Sequence, residues 1–256
     1  MSRKAAPPED EIAVSDIAAS ETMPTRAAFP TDDELPADMQ DLVTDEKTFG
    51  VRMIDTPQGR SQASLLINKM YAWRGYAGTH KFTDDPNRIT LTASDRGTVV
   101  GTLTLGLDSP IGILADEIFK EEIDVYRNQG AKVCEITKLA FDVTGESRQS
   151  MASLFHLSVI YARDLHKCTH IFIEVNPRHR RFYETMLGFK RQCEIRTNPR
   201  VNAPAVLLWV DIGYVEEQIH KYGGTSDNPD TTRSLYPYFF SPREEAGIHG
   251  RLVSLG

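Results

Sequence analysis

Residues 88–107, RITLTASDRGTVVGTLTLGL, constrain the fold more than any other part of the chain. Apolar and polar residues alternate on both sides of Arg96 and Gly97. A two-residue break of this kind between alternating runs marks an antiparallel hairpin, and a hairpin commits the chain to a sheet. Helices to cover that sheet lie on either side in sequence. Ala63, Leu66, Ile67, Met70 and Tyr71 recur at helical spacing from a start near Pro57, and Arg74 continues the same stripe. DEIFKEEIDVYRNQG predicts a second helix, capped by Asp116, with Ile118, Phe119 and Ile123 inward and Gly130 as its stop.

Further along, KVCEITKLAFDV suits a strand, RQSMASLFHLSVIYARDLH a largely buried helix, HIFIEV a strand and AVLLWVDI a late strand, before a short helix from Tyr214 to Tyr222. With VRMID as a short first strand, the order predicts an α/β (α+β) fold, a mixed sheet with helices on its faces. No internal repeat interrupts it.

The 256 residues, 40% hydrophobic, suffice for one substantial core. Residues 1–47 hold 12 Asp/Glu against 4 Lys/Arg and the remainder 24 against 25, so the net charge of -7 belongs to the tail. Rich in Pro, Ala and acids and without apolar period, residues 1–47 are expected to be a disordered acidic segment. The folded domain is expected over 48–222. RSLYPYFF and GIHGRLVSL are too apolar for a free tail, so 223–256 is expected to pack on the domain or on a partner subunit, which would make an oligomer. Residues 1–47 lack the apolar run expected of a secretory signal, and no stretch approaches the roughly 18 apolar residues of a membrane span. Cys134, Cys168 and Cys193 are odd in number and form no C-x-x-C pair, which fits a reducing, cytoplasmic compartment. Neither a nucleic acid nor a membrane partner is called for.

One segment sets an electrostatic puzzle. In VNPRHRRFYETMLGF, Asn176 is a good N-cap and Pro177 suits the first helical position, yet Arg178, His179, Arg180 and Arg181 stack cations at the positive end of a helix dipole. Such an arrangement makes local sense when an anion sits nearby. Long arginines swinging into solvent are the plainer reading.

The element order, RGTVVGTLTL and NPRHRRFYETMLGF together resemble the GNAT acyltransferase fold, with a mixed, mostly antiparallel central sheet and helices on both faces. Within it they resemble the FeeM family of long-chain N-acyl amino acid synthases, relatives of the acyl-homoserine lactone synthases. The resemblance covers about residues 50–215. It implies transfer of a fatty acyl group from acyl carrier protein (ACP) to the amine of a free amino acid. EITK (Glu135 to Lys138) is similar to the Glu-x-x-Arg pattern of the lactone synthases, with Lys in place of Arg, and MYAWRGY loosely resembles their first helix. VTGESRQS stands where other GNAT enzymes carry a glycine-rich pyrophosphate loop, which favours a donor without the nucleotide. No separate cofactor is then needed, because phosphopantetheine enters as part of the donor.

Amide formation from a thioester requires a neutral amine, oxyanion stabilisation and an exit for the thiolate. Glu135, in an otherwise apolar strand where burial would raise its pKa, is the expected proton acceptor; pairing with Lys138 or Arg74 is its structural alternative. Arg74 is positioned to bind the acceptor carboxylate, or else snorkels to water, while Trp73 and Tyr71 supply apolar lining. The resemblance implies that Tyr183 protonates the thiolate, that backbone N–H groups of TKLAF face the oxyanion, and that Lys138, Leu139 and Phe141 lie beside the substrate. It also implies that Asn176 bonds the pantetheine arm. Ser147 and Arg148, opening a helix, are candidates for the phosphate or simply an ordinary capped helix start, and Arg178, Arg180 and Arg181 are candidates for the acidic carrier. His166, Cys168 and His170 lack a convincing fourth ligand, so no metal is expected. A covalent acyl-cysteine at Cys134 lacks a histidine. Two other readings stand beside the synthase: an acyl-homoserine lactone synthase-like enzyme, and a non-catalytic GNAT-fold module that binds acyl carrier or lipid.

Overall fold

The computed structural model describes residues 42–43, 49–54, 57–73, 85–95, 98–142, 147–226 and 233–253. Arg74, the Arg96–Gly97 turn and residues 1–47 other than Leu42–Val43 lie outside the described residues, and so does the disorder expected of the tail. The strands are β1 (Leu42–Val43), β2 (Phe49–Met53), β3 (Arg88–Asp95), β4 (Thr98–Leu107), β5 (Val133–Phe141), β6 (His170–Val175), β7 (Lys190–Arg191), β8 (Arg196–Asn198) and β9 (Ala203–Asp211). The helices are α1 (Pro57–Trp73), α2 (Asp116–Asn128), α3 (Ser147–Ile160), α4 (Arg180–Leu187), α5 (Ile212–Tyr222) and α6 (Pro242–Val253).

In space the strands run β1-β2-β3-β4-β5-β6-β9-β7, with β8 paired to β9. Only β5 and β6 run parallel; every other described pair is antiparallel. The period-2 pattern of the hairpin sorts its side chains as a pleated strand must. Leu91, Leu103 and Leu105 enter the main core with α3, α5 and α6, while Thr90, Thr92, Thr102 and Thr104 lie on the opposite face and are also buried. That second face carries α1, through Leu66, Ile67 and Met70, and α2, through Phe119 and Ile123. The outcome is the GNAT-type mixed sheet with helices on both faces.

α3 is buried from Ala152 to Ile160, which explains its lack of a polar stripe. It lies between the sheet and the C-terminal segment. Leu235, Tyr236, Phe239, Phe240 and Ile248 belong to the main core, with Tyr236 Oη donating to the Leu187 carbonyl at 2.7 Å and the Phe240 N–H to His156 Nδ1 at 3.0 Å.

Local departures from expectation have physical causes. Asp116 is the first residue of α2 rather than its cap; its Oδ2 instead accepts from Ile113 N at 2.7 Å. Arg127 gathers Asp108, Asp116 and Asp124 within 2.8 Å, tying the chain before α2 to its last turn. The helix expected from Pro177 begins as a 3-10 turn, Pro177–His179, and α4 proper starts at Arg180. β7 and β8 are too short and too charged to show alternation.

Candidate active site

The site begins where two strands part. β5 and β6 pair only through Val133–Glu135 opposite His170–Phe172, although β5 continues to Phe141 and β6 to Val175. Beyond that point the β6-facing edge of β5 has no strand partner among the described residues. On its other edge β5 stays with β4, but the register runs from Thr104↔Thr137 to Thr102↔Ala140, so Lys138 and Leu139 stand opposite Leu103 alone. This bulge holds Lys138 at φ 52, a conformation rare for a residue with a Cβ. Thr102 Oγ1 fixes it by donating to the Lys138 carbonyl at 2.8 Å. A bulge re-aims backbone groups, here beside an opening between strands, which is where donors for an oxyanion are needed.

The α1/α2 face around the opening is polar. Thr90 and Thr104 share a hydrogen bond of 2.9 Å between their hydroxyls. Thr137 follows Glu135 on this face, and among the described residues its buried Oγ1 has no hydrogen-bond partner. Lys138 is half-buried, and burial, with Arg88 nearby, holds its pKa below the ordinary lysine range.

Glu135 is 1% exposed. Its Oε1 accepts from Leu114 N at 2.8 Å and from Arg88 Nη1 at 3.2 Å, and its Oε2 from Ala115 N at 3.0 Å. The cation on this carboxylate is therefore Arg88, which nothing in the sequence singled out. Burial pushes its pKa above the ordinary carboxylate range, against the opposing pull of the Leu114 N–H, Arg88 and the Ala115 N–H. A general base must reach the reacting proton directly or through one water. Both oxygens here are committed to main-chain donors, which is the geometry of an anchor holding the turn before α2 against the sheet.

The other expected site residues divide into groups. Tyr183 lies on α4, half-buried, with its ring edge-on to Phe182 at 5.2 Å and Phe189 at 6.0 Å between centroids. Leu139 packs partly against the main core, and Phe141, 6% exposed, is inside it against Gly101, where an added Cβ would lie 2.4 Å from the ring. Phe141 is thus a core residue rather than a substrate contact. Tyr71 packs on the Leu66, Ile67 and Met70 cluster. Trp73 ends α1 and Ser147 begins α3, but their side chains, like Arg74, lie outside the described residues. Arg148 is exposed in the first turn of α3.

Asn176 Oδ1 accepts from Arg178 N at 3.2 Å, so its amide is used as a cap. Arg178 Nε donates to His179 Nε2 at 3.1 Å, Arg180 pairs with Glu184 at 3.3 Å, and Arg181 is exposed. The i,i+4 partner of Arg180 relieves part of the conflict with the helix dipole.

Sequence reasoning missed one group on β6. Glu174 is the charged residue inside HIFIEV, and its side chain is 11% exposed. It accepts from Asn198 Nδ2 and, at 2.6 Å, from Arg200 Nη2. Arg200 also reaches the Leu114 carbonyl at 3.0 Å, and Glu117. An acid within an apolar strand is the same signal that drew attention to Glu135.

The model of the family described as N-acyl amino acid synthase FeeM matches residues 62–211, from α1 to the end of β9. The chain belongs to the FeeM family. Its enzymes are N-acyltransferases, and the FeeM-type match spans the hairpin, the bulge and the opening between β5 and β6. Among solved structures, FeeM itself, an N-acyl amino acid synthase from uncultured soil microbes, is 26% identical with a TM-score of 0.60, covering 66% of this chain and 93% of that one. A putative N-acetyltransferase from Lactobacillus plantarum is 15% identical (TM-score 0.46, 65% and 99% covered). The CoA-dependent acyl-homoserine lactone synthase MesI is 14% identical (TM-score 0.45, 61% and 83% covered). No curated protein matches the chain by sequence. Among the described residues, no helix is long and apolar enough to cross a membrane.

Proposed function

We propose that this N-acyltransferase moves a long-chain fatty acyl group from the thioester of acyl-ACP to the α-amine of a free amino acid. The observation that carries the reading is the bulge at Lys138 and Leu139, set where β5 leaves β6 in a chain of the FeeM family. An extended pantetheine arm entering between the two strands would present its thioester carbonyl to the backbone N–H groups of the bulge. The amine nitrogen attacks the carbonyl carbon, the C–S bond breaks, and the thiolate takes the proton of the Tyr183 hydroxyl. An ammonium acceptor sheds two protons on becoming an amide; one ends on the thiol and the other is released to solvent.

Arg178, Arg180 and Arg181 follow β6 directly, and in this reading they face the acidic carrier, with Arg148 near the phosphate of the arm. Half-buried Lys138 attracts the acceptor's carboxylate. Phosphopantetheine belongs to the donor, and no other cofactor takes part. Incubating the full-length protein with acyl-ACPs of several chain lengths and mixed amino acids, followed by mass spectrometry, is expected to yield N-acyl amino acids. Absence of such products at every chain length would sink the proposal. Charge reversal at Arg180 and Arg181 is expected to raise KM for acyl-ACP about tenfold and leave KM for a truncated acyl-pantetheine thioester unchanged.

A further inference from the structure

We infer that Glu174 and Thr137 form the site that binds and orients the ammonium of the acceptor, with Asn198 and Arg200 holding the carboxylate in place. The inference rests on the proposed N-acyl transfer and names the residues that recognise its primary-amine substrate.

The last paired residues of the parallel ladder are Glu135 and Phe172. The next residue on the α1/α2 face of each strand is two positions on: Thr137 on β5 and Glu174 on β6. These two therefore stand on either side of the opening, one residue before the bulge. Two features of the pair call for a ligand. Among the described residues the buried Thr137 hydroxyl has no hydrogen-bond partner; Ser153 Oγ and His156 Nε2 in α3 share that state, but they lie in the helix and not at the opening. The Glu174 carboxylate is preorganised by Asn198 Nδ2 on Oε1 and Arg200 Nη2 on Oε2. Asn198 is 6% exposed and is itself fixed, its Oδ1 accepting from Arg200 N at 2.8 Å.

A carboxylate offers about four lone-pair sites, and two of those on Glu174 are filled by these donors. The remaining sites suit an ammonium, which has three donors and no acceptor. The Thr137 hydroxyl oxygen can accept a hydrogen bond from a second of its N–H groups. An amine held between the two strands lies next to the bulge whose backbone receives the thioester carbonyl, so one site sets both partners of the attack. Glu135 has less to offer, because Arg88 and two main-chain N–H groups fill three of its sites and both of its oxygens are held to the turn before α2.

The test measures steady-state kinetics of full-length wild type, Glu174→Gln and Thr137→Val, using acyl-ACP and whichever amino acid the wild type acylates best. Glu174→Gln is expected to raise acceptor KM about tenfold or more, the equivalent of one charged hydrogen bond, with donor KM unchanged. Thr137→Val keeps the shape and removes the hydroxyl, and it is expected to raise acceptor KM about threefold. If Glu174→Gln fails to fold, Thr137→Val and Glu174→Asp decide by the same readout. An active wild type whose acceptor KM is untouched in the folded variants, or whose two KM values rise equally, overturns this inference alone. A wild type that makes no N-acyl amino acid overturns the proposed function and this inference with it.

Discussion

At the scale of single residues, two buried acids in apolar strands are put to different uses by their donors. Glu135 accepts from two main-chain N–H groups and Arg88, whereas Glu174 accepts from two side chains and borders the opening. Sequence shows the incongruous charge at both positions but not the donors, which come from residues 20 to 47 positions away in the case of Glu135. Replacing Glu135 by its amide keeps one acceptor oxygen and turns an NH2 group toward the donors on the other, while Arg88 retains Asp85 at 3.3 Å as an ion partner. Glu135→Gln is therefore expected to lower stability by about 3 kcal/mol, as read by urea unfolding, with kcat/KM of the folded enzyme retained. Full stability together with loss of the alkaline-active form in the pH profile would return the proton-accepting role to Glu135.

At the scale of elements, the hairpin strands over 88–95 and 98–107 follow directly from alternation, and β6 from its β-branched and aromatic content. α3 was legible only as a long apolar helix; its ending in a π-helical segment, Tyr161–Leu165, and its docking against the C-terminal segment depend on tertiary packing. His156 within it is 0% exposed and stacks between Phe239 and Phe240 at 5.0 Å from each ring centroid. Burial lowers its pKa, overriding the opposing influence of Glu245 in α6, whose carboxyl is held down to about 2 by His156 and Arg163. Both groups release protons more readily folded than unfolded. Each contributes stability that is present above its unfolded pKa, about 6.5 for histidine and 4.5 for Glu245, and lost as pH falls through the folded value. Hydrogen exchange of α6 amides, corrected for intrinsic rates, is expected to accelerate as pH drops from 7 to below 6. His156→Phe should abolish the part of that change above about pH 5.

At the scale of the whole molecule, the C-terminal segment completes the main core although the family match stops at Asp211. Leu235 N donates to the Met186 carbonyl at 2.8 Å and Gly224 N to the Phe239 carbonyl at 2.9 Å, so residues 233–240 bridge α4, α5 and α3. Ending the chain at Tyr222 would expose α3 and the aromatic contacts of Tyr236, Phe239 and Phe240. Such a truncation is expected to aggregate or to lose the cooperative thermal transition, while Tyr236→Phe, which removes only the bond to Leu187, should cost about 1 kcal/mol. A cooperative transition that survives truncation would make the segment an accessory. By itself the sequence determined the sheet and the helices that cover it, because alternation, helical period and turn residues are local quantities, while the family was legible through the resemblance of RGTVVGTLTL and NPRHRRFYETMLGF. Only the tertiary structure decided where β5 leaves β6, which acid is walled in, and which buried hydroxyls, Thr137 and Ser153 among the described residues, are left without a partner. Those facts depend on groups that meet across strands, and no local pattern records which ones meet.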